Sequence, residues 1–170
     1  MIIKIIPLVN KEEIKQTAKM AVGVFPYIAT HVRLTFWLYR NRDSKLKNLL
    51  RLIGVKEQLN YWVAVNEQGK IIGTIGLYTK ASDSHNSVWM AYFCVDPESR
   101  MQGVGRKLIE YAIEQAKLLD VRYFNLYTST LKNESASHGL YNKYGFRIVK
   151  TKNKLFYKVL DMQLDFSFIA

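Results

Sequence analysis

The segment Val95-Asp96-Pro97-Glu98-Ser99-Arg100-Met101-Gln102-Gly103-Val104-Gly105-Arg106-Lys107-Leu108-Ile109 decides the fold. Before it runs an apolar stretch, Val88 to Val95, of strand length and composition. After Gly103, the positions Val104, Leu108, Tyr111, Ala112, Ala116 and Leu119 recur at helical spacing, interrupted only by the polar Gln115. The chain therefore passes from a strand through a tight glycine loop into the N-terminus of a helix. The first turn of a helix carries backbone N–H groups without partners and the positive end of the dipole, so it attracts anions. Gly103 and Gly105 have no side chain to keep an anion from the backbone. Arg100, Arg106 and Lys107 add positive charge. Together these features point to a ligand that bears phosphate. The loop is no P-loop, because G-x-x-x-x-G-K-S/T is absent. It fits a dinucleotide fingerprint poorly: position 108 is Leu instead of a third glycine, and Tyr127 and Thr128 end the next strand without a carboxylate.

Outward from this loop the chain reads as one continuous domain with only three prolines, Pro7, Pro26 and Pro97. Ile2 to Ile6 is a short strand, and Asn10 caps a helix from Lys11 to Val22 that Gly23 and Pro26 end. Residues 28–55 read as further helix, with Thr30 and Asp43 as starts. Tyr61–Val65 and Ile71–Tyr78 form a hairpin about the turn Glu67-Gln68-Gly69-Lys70. Val121–Thr128 is apolar on both faces, as a covered parallel strand should be. A helix from Glu134 to Tyr144 stops at Gly145, and a hairpin of Phe146–Lys150 and Leu155–Gln163 closes the chain. This order predicts a single α/β domain with a mixed central sheet and helices on both faces.

The fifteen-residue segment closely resembles the acyl-CoA loop of the GNAT acetyltransferase superfamily, whose signature Q/R-x-x-G-x-G/A follows a strand ending V-x-P. A second match, Leu140-Tyr141-Asn142-Lys143-Tyr144-Gly145-Phe146, resembles the family's L-Y-x-K-x-G-F segment and lies about thirty residues downstream, as in the family. The resemblance covers roughly residues 60–163. It implies transfer of an acetyl or short acyl group from acetyl-CoA as co-substrate, with no metal, to a primary amine as acceptor. Backbone groups of Phe93 and Val95 would meet the acyl carbonyl and the pantetheine arm. The loop from Arg100 through Met101, Gln102, Gly103, Val104 and Gly105 to Arg106 would hold the pyrophosphate, through the N–H groups of residues 102–106. Tyr141 would protonate the leaving thiolate, after direct attack by the amine through a tetrahedral intermediate. The competing reading of Tyr141 is a packing tyrosine, one of eleven in the chain.

Two positions depart from the family pattern. The Asn often found seven residues before the tyrosine is Glu134 here, with Asn133 one residue early. Asn133 is the candidate for the bond to pantetheine. Residues 88–95 also lack the Glu that many relatives use as general base, which leaves Asp83 and His85 of the preceding loop as candidates. His31 and His138 read as structural or surface residues, and His31 would line an acceptor pocket only if the 28–40 helix overhangs the site. Phe36, Trp37 and Tyr39 read as core.

A lone cysteine, Cys94, forms no internal disulfide and makes no structural zinc site; in an apolar strand it reads as a buried small residue. The first seven residues lack a signal-peptide pattern, and no apolar run reaches the ~20 residues of a membrane span. The expected location is the cytoplasm, with no membrane partner and a monomeric or homodimeric state. The net charge of +11 divides into +7 over residues 1–59, +1 over 60–144 and +3 over 145–170. Basic residues Arg40, Arg42, Lys45, Lys47 and Arg51, with Arg147, Lys150, Lys152, Lys154 and Lys158, allow an alternative. In that reading the protein is a non-catalytic module of the same fold that binds nucleic acid or a ribosomal partner, although no nucleic-acid motif accompanies the charge.

Overall fold

The computed structural model describes residues 2–41, 49–50, 54–80, 82–83 and 86–168. Its centre is a seven-stranded sheet: β1 (Lys4–Pro7), β2 (Val55–Val65), β3 (Ile71–Lys80), β4 (Ser87–Val95), β5 (Tyr123–Ser129), β6 (Arg147–Asn153) and β7 (Lys158–Asp165). The spatial order is β1-β2-β3-β4-β5-β7-β6. Only β4 and β5 run parallel, and the crossover between them is α3 (Val104–Lys117). The mixed α/β sheet expected from the sequence is therefore present, with helices on both faces.

Helices α1 (Lys11–Val24) and α2 (Ala29–Arg40) cover one face, where Ile14, Ala21, Val32 and Phe36 meet Val63, Trp89 and Ala91. On the other face α3 buries Val104, Leu108, Ile109, Ala112 and Ala116 against Ile72, Ile75, Val88 and Phe124. Gly73 of β3 lets α3 sit close, since a Cβ there would lie 2.9 Å from Leu108 Cδ1.

Several boundaries differ from the sequence reading. Asn10 does cap α1, accepting from the Glu12 N–H at 2.8 Å, but the helix continues past Gly23 to Val24 and stops before Pro26. Helix α2 starts at Ala29 without a side-chain cap, so Thr30 plays no such role; Asp43 lies outside the described residues. Strand β2 starts at Val55, six residues before Tyr61. The run Lys56-Glu57-Gln58-Leu59-Asn60 lacks a strand pattern of its own and is held by pairing with β3, with two register shifts along it. The expected helix over 134–144 is two short pieces, α4 (Lys132–Ser135) and α5 (His138–Lys143). Ser135, Ser137 and Gly139 favour helix weakly, which suits a break there. Gly145, at φ +87°, then ends α5, with the Phe146 N–H donating back to the Tyr141 carbonyl. In the last hairpin Phe146 is core instead of strand, and Leu155 and Phe156 sit exposed at the tip.

Candidate active site

The site begins with a defect in β4. Thr74 of β3 faces Cys94, but Gly76 faces Ala91, so β4 carries one extra residue across this interval. The extra residue is a β-bulge at Tyr92, whose φ of +41° is in the left-handed region. A non-glycine residue held there costs on the order of 1–3 kcal/mol, and such strain gathers at functional sites. The bulge resets the alternation of the strand. Before it, Val88 and Met90 face α3 and Trp89 faces α1 and α2. At it, Ala91 and Tyr92 both face the α1/α2 side; beyond it, Phe93 and Val95 face α3.

The same stretch parts from β5. The parallel pairing covers only Ser87↔Tyr123, Val88↔Phe124 and Trp89↔Asn125. From Met90 onward the β5-facing edge of β4 has no partner strand, while β5 continues against β7 to Ser129. A cleft of about 640 Å³ occupies the opening. Its walls come from β4 (Tyr92 to Val95), the loop before α3 (Arg100, Met101, Gly103), the first turn of α3 (Gly105, Arg106), and α4 and α5 (Asn133, Glu134, Ser137, Tyr141).

The loop leaves backbone donors unpaired. Gly103 caps α3 at φ +82° with no side chain bonded to the free N–H groups, so those donors stay open. Met101 also has positive φ (60°) and is fully exposed. A Cβ on Gly105 would lie 3.4 Å from the Phe93 ring, so this glycine brings the helix end up to β4. Arg106 is exposed on the first turn, and Arg100 donates from Nε to the Val95 carbonyl at 3.3 Å. Lys107 does not join them; its Nζ reaches the Ile3 carbonyl on the far side, at 3.4 Å. Gln102 turns back to the Glu98 carbonyl, and the Val104 side chain is buried in the core, so these two face the loop only through backbone.

Tyr141 is buried on the cleft wall, its ring 5.9 Å from Phe93 and 6.1 Å from Phe146. Burial pushes its hydroxyl well above the ordinary phenol range, against an opposing interaction with Ser137, so the group stays protonated at neutral pH. Glu134, at the position where the family often has Asn, shares the cleft with Asn133 and accepts a hydrogen bond from the Tyr27 hydroxyl. That bond joins α4 to the turn between α1 and α2.

A second cavity, of about 310 Å³, opens under α2, on the face that the first cleft also reaches at Val24, Phe25 and Ile28. His31, Thr35, Gln58, Tyr61 and Lys80 line it. Tyr92 and Tyr127 line both spaces, so the bulge marks where the two meet. The Tyr92 hydroxyl is 2.5 Å from His31 Nδ1 and 3.1 Å from Thr35 Oγ1. Burial lowers the His31 imidazole below its ordinary 6.5, so it is neutral at pH 7.

The matches with known proteins decide the family. Residues 57–148, over half of the chain, match the acetyltransferase (GNAT) domain. The chain belongs to the GNAT acetyltransferase family. A Xenopus tropicalis protein named "Probable N-acetyltransferase 14" is 31% identical over 137 residues, covering 81% of this chain and 63% of that protein. The chain thus spans less than two thirds of that relative's length. PaiA N-acetyltransferase of Thermoplasma acidophilum, solved with coenzyme A, superposes with a TM-score of 0.71 at 19% identity, covering 97% of this chain and 99% of that one. An N-acetyltransferase of Staphylococcus aureus Mu50 gives 0.69 at 16% identity, with 97% and 99% covered. At these identities the two structures speak for the fold alone.

In this GNAT domain the expected residues Phe93, Val95, Arg100, Met101, Gly103, Gly105, Arg106, Asn133 and Tyr141 all line one cleft. The base candidates fare differently. The Asp83 carboxylate accepts from Ser87 Oγ at 2.8 Å and from the Trp89 indole N–H, which ties it to the start of β4. His85 lies outside the described residues. His31 was legible only as a conditional candidate, and α2 does overhang the second cavity. His138 bonds Thr128 Oγ1 through Nε2 at 3.2 Å. Cys94 is buried, its thiol pushed up to about 12 by burial, which makes it inert. Of the aromatic stripe, Phe36 and Tyr39 are core but Trp37 is 44% exposed. Of the first basic run, only Arg40 is among the described residues. The sequence carried no sign of Tyr92 or Tyr127 as site residues, because a bulge without glycine leaves no compositional trace. No helix among the described residues is long and apolar enough to cross a membrane.

Proposed function

We propose that the protein is an N-acetyltransferase that moves an acetyl group from acetyl-CoA to an amine across the opening between β4 and β5. The observation that carries this reading is the meeting of two cavities at Tyr92 and Tyr127. One is walled by the glycine loop, the other by α2. The uncapped α3 N-terminus, with Arg100 and Arg106, suits the pyrophosphate of CoA. The unpaired β4 edge beyond Trp89, at Phe93 and Val95, suits the acyl carbonyl and the amide-rich pantetheine arm, as an added strand would. The Arg100 bond to the Val95 carbonyl has to yield for that carbonyl to pair with the arm.

The amine lone pair attacks the thioester carbon, and a β4 N–H near Phe93 steadies the oxyanion. On collapse the C–S bond breaks and the Tyr141 hydroxyl gives its proton to the thiolate. The hydroxyl is protonated at neutral pH; burial makes it a weaker acid, and the interaction with Ser137, which lowers its proton affinity, works in favour of the transfer. His31, neutral at pH 7 and bonded to Tyr92, takes the proton that the amine loses, directly or across the Tyr92 hydroxyl. The lone buried Cys94 takes no part.

The test is release of free thiol from acetyl-CoA in the presence of an amine panel. Tyr141→Phe should lower turnover by about 10²–10⁴-fold, the usual worth of a general acid, with acetyl-CoA affinity kept. Equal turnover in wild type and variant would remove Tyr141 from the chemistry.

A further inference from the structure

The second cavity has a chemical character of its own. Its described lining contains no Asp or Glu and one lysine, Lys80 at the end of β3. Lys80 is half-buried, with Nζ 3.0 Å above the centroid of the Trp89 ring. It forms no ion pair with a described carboxylate. The two acids whose charge acts on it already have partners: Asp161 pairs with Lys152 at 3.2 Å, and Asp83 accepts from Ser87 and from the indole N–H of Trp89, whose ring Lys80 covers. Burial lowers the proton affinity of Lys80, against the pull of Asp161 and Asp83, so an incoming anion would compensate a desolvated charge. Lys80 Nζ is also only 5.9 Å from the ring of Tyr127, which lines both cavities. Two buried polar atoms on the same lining, Gln58 Oε1 and the Tyr61 hydroxyl oxygen, have no hydrogen-bond partner. Native proteins seldom leave such atoms orphaned unless a ligand or water meets them.

We propose that the acceptor is a compact amine bearing a carboxylate, as in an amino acid. Lys80 holds the carboxylate, and the nitrogen lies at the Tyr92–Tyr127 junction. This deepens the acetyltransferase reading and rests on it. The 5.9 Å between Lys80 Nζ and the Tyr127 ring limits nitrogen and carboxylate to a separation of a few bonds. A polycationic acceptor would meet Lys80 with no described carboxylate on the wall to balance it.

The experiment measures kcat/KM by thiol release for the standard L-amino acids, each against its matched amino-acid amide, with spermidine and kanamycin as polycations. Acetyl-CoA binding is measured separately by calorimetry. Acids should exceed their amides by about 10- to 100-fold, the worth of one hydrogen bond to a charged group. Lys80→Met should abolish that preference and Lys80→Arg should keep it, both with wild-type acetyl-CoA affinity. Lys150→Met, on the exposed edge strand, should leave the preference unchanged. The proposal is overturned if amides or polycations are preferred, if no carboxylate-bearing amine turns over while acetyl-CoA binds, or if Lys80→Met keeps the preference. Failure to bind acetyl-CoA would instead sink the acetyltransferase reading beneath it.

Discussion

Gly76 and Tyr92 are the two residues whose backbone and packing the site depends on most directly. A Cβ on Gly76 would lie 2.4 Å from the Tyr61 ring, which packs against Phe36 and Tyr39 and lines the cavity under α2. Gly76→Ala should therefore destabilise the fold by about 1–3 kcal/mol through overpacking, measured by urea denaturation. An unchanged midpoint would mean that the ring moves aside freely. Tyr92 holds a left-handed backbone while its hydroxyl meets His31 and Thr35. His31 gives a prediction with a sign. A base works only when neutral, and burial sets its proton affinity below 6.5. The rate kcat/KM should fall as pH drops through a value under 6.5, and His31→Gln should lose that acid limb along with most of its rate. A limb that persists in the variant belongs to another group.

Among the elements, the α3 N-terminus was readable in advance and the β4 bulge was not. Glycines at 103 and 105, the arginines around them and the helical period after them all mark the loop in one short stretch. Gly103 is needed for its φ of +82° more than for space, since only Arg106 Nη2, at 4.0 Å, comes near an added Cβ. Gly103→Ala should cost about 1–2 kcal/mol of backbone strain. Gly103→Glu should in addition abolish acetyl-CoA binding by setting a carboxylate against the phosphate site. Retained wild-type affinity in the glutamate variant would refute the loop assignment. The bulge escaped the sequence because Val88 to Val95 reads as one smooth apolar run, and the extra residue shows only in the register against β3. The start of β2 escaped for a related reason: Lys56 to Asn60 become strand through their partner, not through their own pattern. The single helix expected over 134–144 joined two short ones, since the Tyr141 motif marks only the second.

At the scale of the whole molecule, the fold class was legible because strands, helices and glycine loop agreed with one another. The cavity under α2 was not, because it is assembled from α2, β2, β3, β4 and β5, which no local pattern joins. On the proposed function the cleft beside the glycine loop takes the donor and the cavity under α2 the acceptor, so the donor cleft should fill without an acceptor present. Acetyl-CoA at a hundredfold excess over its Kd should then stabilise the protein by about 2.7 kcal/mol, read as a higher Tm. The most direct test of the central claim is calorimetric titration of the purified protein with acetyl-CoA, alongside dephospho-CoA and NAD. The account predicts saturable binding of acetyl-CoA with NAD silent; no binding of acetyl-CoA, or NAD binding equally well, would contradict it.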